Sequence, residues 1–278
     1  MINIYVTSAF CKNNTGGNKA GVVLEAEGLS YIQKQEIAME LGYSETAFIT
    51  ASDRADFKLQ YFTPTEEVPL CGHATIATFS TLMSLNMLNK KQYTIETNSG
   101  ILAIQIEEDG LIFMEQNRPT YFELLNPEPF TECVEKSFID CNLPIQIVST
   151  GLKVIMLPID STEHLQAISP DFEQISELSK EKNVVGIHAF ALTEESDITA
   201  ICRNFAPLYG INEESATGTS NCALACYLFK HFEKKSRYVF EQGHNMGATS
   251  RIIVKIVHHE DIIDAVYVGG YGCVMERI

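Results

Sequence analysis

From Ala74 to Asn89 the sequence carries no charged residue, and the same holds from Gly218 to Phe229. A helix without a polar face must be enclosed by protein on every side. Each stretch therefore needs its own surrounding sheet, and a chain of 278 residues is long enough to build two such cores.

The approaches to the two stretches match. Phe62-Thr-Pro-Thr-Glu-Glu-Val-Pro-Leu-Cys-Gly-His-Ala-Thr75 and Phe205-Ala-Pro-Leu-Tyr-Gly-Ile-Asn-Glu-Glu-Ser-Ala-Thr-Gly-Thr-Ser220 share a Phe-x-Pro opening, an acidic pair and a glycine turn. Earlier elements repeat in the same order. Val22-Val-Leu24 is answered by Val154-Ile-Met-Leu157, and Glu45-Thr-Ala-Phe-Ile-Thr50 by Ile187-His-Ala-Phe-Ala-Leu192. Offsets of 142 residues (Phe48 to Phe190), 143 (Phe62 to Phe205) and 146 (Gly72 to Gly218) are too steady for coincidence. The expected fold class is α+β, with two pseudo-symmetric lobes, each a curved sheet or barrel around a central buried helix. The lobes are expected over 1–118 and 119–278, with the boundary in the Pro-punctuated region from Arg118 to Leu143 and the last strand free to join either lobe. A two-lobed chain places its ligand cleft between lobes by default.

Local signals fill in the elements. Met1-Ile-Asn-Ile-Tyr-Val6 reads as a strand, Asn13 to Gly21 as a turn-rich loop, and Phe57 to Phe62 as an alternating strand. Ser30 with Gln33 makes a capping box and Gly42 a C-cap, which predicts a helix over 30–41. Ser169-Pro170 is the expected start of another helix, bearing Phe172, Ile175 and Leu178. Two hairpins are expected, through Glu108-Asp-Gly110 and between Ile252–Val257 and Ile262–Val268.

Composition excludes several classes. The formal net charge of −16 repels a phosphate backbone, so nucleic acid is not an expected partner. None of the eight cysteines forms a Cys-x-x-Cys pair, so no zinc ribbon or dithiol is expected, and the cysteines read as reduced core residues. No window approaches a membrane span, the first residues lack a basic stretch followed by a long apolar run, and a cytoplasmic protein that engages no membrane is expected. Gly16-Gly-Asn-Lys-Ala-Gly21 has neither dinucleotide-fingerprint nor phosphate-loop spacing, and His258-His259 reads as a solvated hairpin tip. Neither a nucleotide-cofactor motif nor a metal site is expected from these signals.

At both glycine turns a helix begins with free N–H groups and the positive end of its dipole. Such ends suit a small anion such as a carboxylate, and stabilise negative charge that develops beside it when carbon loses a proton. The expectation is that the two turns face one site, because His73, Glu213, Glu214, Thr217 and Thr219 crowd next to otherwise apolar helices. Cys71 is a candidate nucleophile or acid/base thiol, although its second-half counterpart is Thr217. Glu45 opens an uncharged strand, and its second-half equivalent is taken as Ile187, an asymmetry that suits a single acid/base.

Gly16-Gly-Asn-x-Ala-Gly-Val22, Leu41-x-x-Ser-Glu-Thr-Ala-Phe48, the whole Phe62–Thr75 segment, Thr150-Gly-Leu152, Phe205-Ala-Pro207, Ala216-Thr-Gly218 and Glu241-Gln-Gly243 together resemble the PhzF-like family, named for the phenazine-biosynthesis isomerase, within the diaminopimelate-epimerase fold superfamily. The resemblance runs nearly end to end. It implies a homodimer of two-lobed subunits, a small carboxylate-bearing metabolite as substrate, and cofactor-independent isomerisation with Glu45 moving a proton between carbons. It further implies that His73 and Glu214 act with Glu45 on substrate polar groups, that Gly72, Gly218 and Thr219 border the carboxylate, and that Asn18 lines the pocket. The chain departs from the family pattern at Glu214 (usually Asp), Ser215 (Pro), Thr219 (Ser), Lys19 (Pro) and Ala248-Thr249 (Arg-Pro). The alternatives are a Cys71-dependent epimerase or racemase and a non-catalytic carboxylate-binding protein.

Overall fold

The computed structural model describes residues 3–131 and 133–278; Met1 and Ile2 of the expected first strand, and Glu132, lie outside the described residues. The chain divides into two compact units, one of Met1–Glu115 with Gly269–Ile278 and one of Gln116–Val268.

The first unit contains β1 (Asn3–Ala9), β2 (Asn18–Leu24), α1 (Tyr31–Leu41), β3 (Thr46–Thr50), β4 (Phe57–Phe62), β5 (Glu67–Val68), α2 (Gly72–Ser84), β6 (Gln92–Thr97), β7 (Gly100–Ile106) and β8 (Ile112–Gln116). The second contains β9 (Thr120–Leu125), β10 (Ile145–Ser149), β11 (Lys153–Ile159), α3 (Thr162–Ala167), α4 (Phe172–Lys182), β12 (Ile187–Leu192), β13 (Ala200–Ala206), β14 (Ile211–Glu214), α5 (Gly218–His231), β15 (Arg237–Gln242), β16 (Ser250–His259) and β17 (Ile262–Gly270). The last strand, β18 (Gly272–Arg277), belongs to the first unit and pairs antiparallel with β1.

Both units follow one wiring plan. In the first, β1 pairs antiparallel with β2, β2 parallel with β3, β3 antiparallel with β4, β4 parallel with β6, and β6 antiparallel with β7. In the second the same alternation runs through β10, β11, β12, β13, β15 and β16. β18 flanks β1 as β9 flanks β10, and short β5 extends along β4 as β14 does along β13. The duplication read from the sequence is therefore a duplication of strand order and direction.

In each unit the strands pack on a helix whose buried run carries no charged residue. Residues His73 to Leu82 of α2 are all buried, as are Ser220 to Phe229 of α5. The hydroxyls on α2 are accommodated without a polar face. Thr75, Thr78, Ser80 and Thr81 each donate to the carbonyl four residues back, at 2.7–2.9 Å. Gly272 of β18 lies so close to α2 that an added Cβ would come within 2.2 Å of Ser80 Oγ.

The α1 expectation holds in detail. Ser30 and Gln33 exchange both capping-box bonds, and Gly42 ends the helix at φ 66°. Three expectations are corrected. β2 begins at Asn18, so nearly half of the expected loop is strand, because β1 offers it a full antiparallel ladder. α4 is capped by Asp171, whose carboxylate accepts from the N–H groups of Glu173 and Gln174, two residues beyond the expected start at Ser169. The cysteines are free, but Cys141 is exposed and Cys273 half-buried, so not all eight are core.

The strand register also corrects the partner of Glu45. Thr46 lies opposite Phe62 as Ile187 lies opposite Phe205. Gly21 N–H donates to the Glu45 carbonyl as Ile155 N–H donates to the Gly186 carbonyl. Gly186, not Ile187, therefore occupies the place of Glu45. A Cβ at Gly186 would lie 1.9 Å from the Phe205 carbonyl oxygen, a backbone atom that cannot swing aside. Gly186→Ala is expected to cost at least about 2 kcal/mol in urea-unfolding midpoint measurements. Gly28→Ala, where an added Cβ meets nothing within 4 Å, is expected to stay within about 0.5 kcal/mol of the parent.

Candidate active site

In the first unit the side chains gather at the start of α2. Cys71 is the N-cap, in an extended conformation at φ −141° and ψ 116°, and its side chain makes no capping bond. The leading N–H groups of the helix are thus left by their own cap residue without a side-chain acceptor. The turn is fixed from behind. Thr75 Oγ1 donates to the Cys71 carbonyl at 2.7 Å, and the buried Tyr61 hydroxyl lies 2.7 Å from that same Thr75 oxygen. An added Cβ at Gly72 would meet only Met114 Cε, at 3.5 Å, so a glycine at this helical position is not forced by crowding. What the missing side chain does is leave the helix end open to approach.

His73 is the centre of this group, 6% exposed. Its Nε2 lies 3.2 Å from Glu45 Oε2 and 3.4 Å from Ser44 Oγ. Its Nδ1 lies 3.4 Å from Cys71 Sγ and 3.5 Å from Asn18 Nδ2. Burial pushes the His73 pKa below 6.5, and the facing Glu45 carboxylate opposes this less strongly, so the ring is neutral near pH 7. The Asn18 amide nitrogen and the Cys71 thiol both face Nδ1, while Nε2 faces Glu45 and Ser44.

Glu45 sits one residue before β3, with its side chain 18% exposed. Its carbonyl is tied to Gly21 N–H at 3.2 Å, which anchors the main chain against β2. Its Oε2 is buried and makes no hydrogen bond; the contact with His73 has ion-pair distance without hydrogen-bond alignment. A carboxylate oxygen held near a neutral imidazole, with no donor committed to it, is placed to exchange a proton.

In the second unit the corresponding helix start is held by amides. Thr217 is the N-cap of α5 and donates through Oγ1 to Glu214 Oε2 at 2.6 Å. Gln242, the last residue of β15, donates through Nε2 to the Glu214 carbonyl at 2.7 Å and to Thr217 Oγ1 at 3.0 Å. Its Oε1 accepts from Asn221 Nδ2 at 2.8 Å and from Thr217 N–H at 3.3 Å. Thr219 donates to Gln116 Oε1 at 3.2 Å, and its carbonyl accepts from Thr150 Oγ1 at 3.0 Å.

The structure thus brings Asn18, Glu45, Cys71, Gly72 and His73 together in one unit, and Glu214, Thr217, Gly218 and Thr219 together in the other. Glu213 does not join them. It forms a two-pronged ion pair with Arg203, at 2.9 Å through each oxygen, while Arg203 also donates to the Leu165 and Ile168 carbonyls. Ser44, Gln242, Asn221 and His188 were not singled out from sequence. Of these, Gln242 stood inside the Glu241-Gln-Gly243 motif, whereas Asn221 and His188 lie in buried apolar runs that give no signal.

His188 is fully buried on β12, with Nδ1 3.0 Å from Asn204 Oδ1. Burial pulls its pKa down to about 4, with Asn204 and Asn221 opposing. Between pH 6.5 and 4 the unfolded chain therefore binds a proton that the folded chain does not. His188 stabilises the fold fully above pH 6.5, and that contribution is lost as pH falls toward 4, by about 3 kcal/mol in total. Urea unfolding across this range is expected to show the loss, and His188→Gln to flatten it.

The family model for phenazine biosynthesis-like protein (PhzC-PhzF) matches residues 7–277. An uncharacterized isomerase of Clostridium acetobutylicum is 39% identical over 82% of this chain and 80% of its own length. The crystal structure of a Bacillus anthracis phenazine biosynthesis protein of the PhzF family matches with a TM-score of 0.92 at 29% identity, covering 100% of this chain and 98% of that one. A hydroxyproline epimerase of Agrobacterium vitis, with bound trans-4-hydroxy-L-proline, shares the fold alone, at a TM-score of 0.63 and 12% identity over 100% of this chain and 91% of that one. The fold and the family place the chain among the isomerases of the α+β epimerase-like fold. It belongs to the PhzF-like, phenazine biosynthesis-like family. Among the described residues, no helix is long and apolar enough to cross a membrane.

Proposed function

We propose that the protein is a cofactor-independent isomerase that moves a proton between carbons of a small carboxylate-bearing metabolite, with Glu45 as the acid/base. The observation that carries this reading is the buried Glu45 Oε2, without a hydrogen bond and 3.2 Å from neutral His73. Glu45 takes the proton from one carbon and returns it at another, so the group ends the cycle in its starting state. His73, beside the carboxylate, holds the substrate's polar atoms. The N–H groups at the start of α2 take the substrate carboxylate and the negative charge that grows beside it as the C–H bond breaks.

The share assigned to Asn18, Gly72, Glu214, Gly218 and Thr219 in holding the substrate is supported by the motif matches and by their local settings. Glu214 is one methylene longer than the Asp usual at this place, and its carboxylate is steadied by Thr217. The hydroxyl and the Gln242 amide do the fixing that a proline turn would otherwise provide.

Incubation of the protein with metabolite mixtures in heavy water is expected to yield a carboxylate bearing a new C–D bond. Glu45→Gln is expected to lower its formation by at least about 10²-fold while carboxylate binding persists. Turnover retained in Glu45→Gln would sink the assignment. Carboxylate binding without deuterium entering any ligand would point instead to a non-catalytic binder.

The Cys71 thiol, 3.4 Å from His73 Nδ1, favours a second reading as a thiol-based epimerase. That reading needs deuterium at an α-carbon to survive Glu45→Gln and vanish in Cys71→Ala. The expected result is the reverse: turnover in Cys71→Ala stays within about tenfold of the parent.

A further inference from the structure

Two cysteines far apart in the sequence meet where the first strand joins the last. β1 and β18 pair with Ser8 opposite Cys273 and Ala9 opposite Gly272. Beyond Ala9 the chain turns at Phe10, at φ 62°, and Cys11 N–H donates to the Tyr271 carbonyl at 2.9 Å. That turn folds the Cys11 side chain back along β1, where its Sγ donates to the Ser8 carbonyl at 3.2 Å. The sulfur is thereby set beside the residue that faces Cys273. The Cys273 thiol and its main-chain N–H are both hydrogen-bonding neighbours of the Cys11 thiol.

The two thiols differ in access. Cys11 is buried, whereas Cys273 is half-buried and lines a surface groove of about 410 Å³ with Asn14, Ser80, Met83 and Met275. Cys273 Sγ donates to Asn14 Oδ1 at 3.5 Å, at the mouth of the same turn. Burial, with the neighbouring Cys273 thiol adding to it, pushes the Cys11 pKa up to about 12. A small reagent therefore meets Cys273 first and finds Cys11 protonated behind it.

We propose that Cys11 and Cys273 form a reversible disulfide, with a low-molecular-weight disulfide of the glutathione class as the oxidant. The Cys273 thiolate attacks one sulfur of the reagent, whose S–S bond breaks to release one thiolate and leave a mixed disulfide on Cys273. Cys11 Sγ then attacks Cys273 Sγ, the mixed bond breaks, and the departing sulfur takes up the Cys11 proton. The protein dithiol is oxidised by two electrons and the reagent is reduced to two thiols. The sulfurs close from neighbouring positions to about 2.05 Å. The bond ties β18, which completes the first unit, to the segment that leads into Asn18 and β2. It does not rest on the isomerase reading.

The test is made on the full chain, reduced, freed of reductant and then treated with oxidised glutathione. Trypsin digestion without reduction is expected to yield residues 1–12 joined to residues 256–277, each piece holding a single cysteine, and dithiothreitol to separate them. Cys11→Ser is expected to stop at a glutathione adduct on Cys273, at least about tenfold more abundant than in the parent. Cys273→Ser should leave Cys11 without an adduct. Should either variant fail to fold, the joined peptide and amide exchange of the unaltered protein decide the matter. Exchange of the β18 amides is expected to slow at least about tenfold on oxidation. No joined peptide, a Cys273 adduct no more abundant in Cys11→Ser than in the parent, or glutathione on Cys11 in Cys273→Ser overturns the pair. Exchange in β18 indifferent to the bond overturns its hold on that strand.

Discussion

Enclosing a helix that has no charged face is the constraint on which the rest of the structure depends. α2 and α5 are buried at tolerable cost when the hydroxyls and amides on them find partners within reach. On α2 this is done by donation back along the helix and by Tyr61 at its first turn; on α5 Asn221 Nδ2 reaches Thr217 and Gln242, while its Oδ1 makes no hydrogen bond. The same bonds that make burial tolerable therefore fix where each helix begins. Because both starts carry the candidate functional groups, the packing requirement and the site geometry are one arrangement.

The two helix starts reach similar shapes by different chemistry. In the first unit the N-cap is a cysteine that does not cap, and the nearby polar groups are an acid and an imidazole. In the second the N-cap hydroxyl is committed to Glu214 and braced by Gln242. One end keeps an uncommitted carboxylate oxygen, and the other spends its donors on holding its carboxylate still. That difference is why we propose the acid/base role for Glu45 and a substrate-holding role for Glu214.

Much of this was legible in the sequence because it depends on patterns local to a few residues. The absence of charge after Gly72 and Gly218, the Ser30–Gln33 box and the Phe-x-Pro pairs are all local, and each led to the element found. Where the sequence misled, a tertiary partner decided the outcome. Asp171 displaced Ser169-Pro170 as a cap because its carboxylate reaches two helix N–H groups. Asn18 to Gly21 became strand because β1 offers it a full ladder. The Asn204, Asn221 and Gln242 contacts join residues many positions apart, and no spacing rule could have connected them. The acidic pair 213–214 is the sharpest case: two adjacent, identical residues, one bound to Arg203 and the other to Thr217.

The glycine at position 186 has a consequence for how such a chain can change over time. A duplicated protein starts with two equal chances to place an acid at each matched position, and symmetric two-base chemistry needs both. Here the second chance is closed by the Phe205 carbonyl, which leaves no room for even a methyl group. Single substitutions cannot restore a mirror image of Glu45 without moving the strand itself. With Glu45 in its proposed role, new substrates must be reached by altering the surroundings of one carboxylate rather than by adding a second at its matched position.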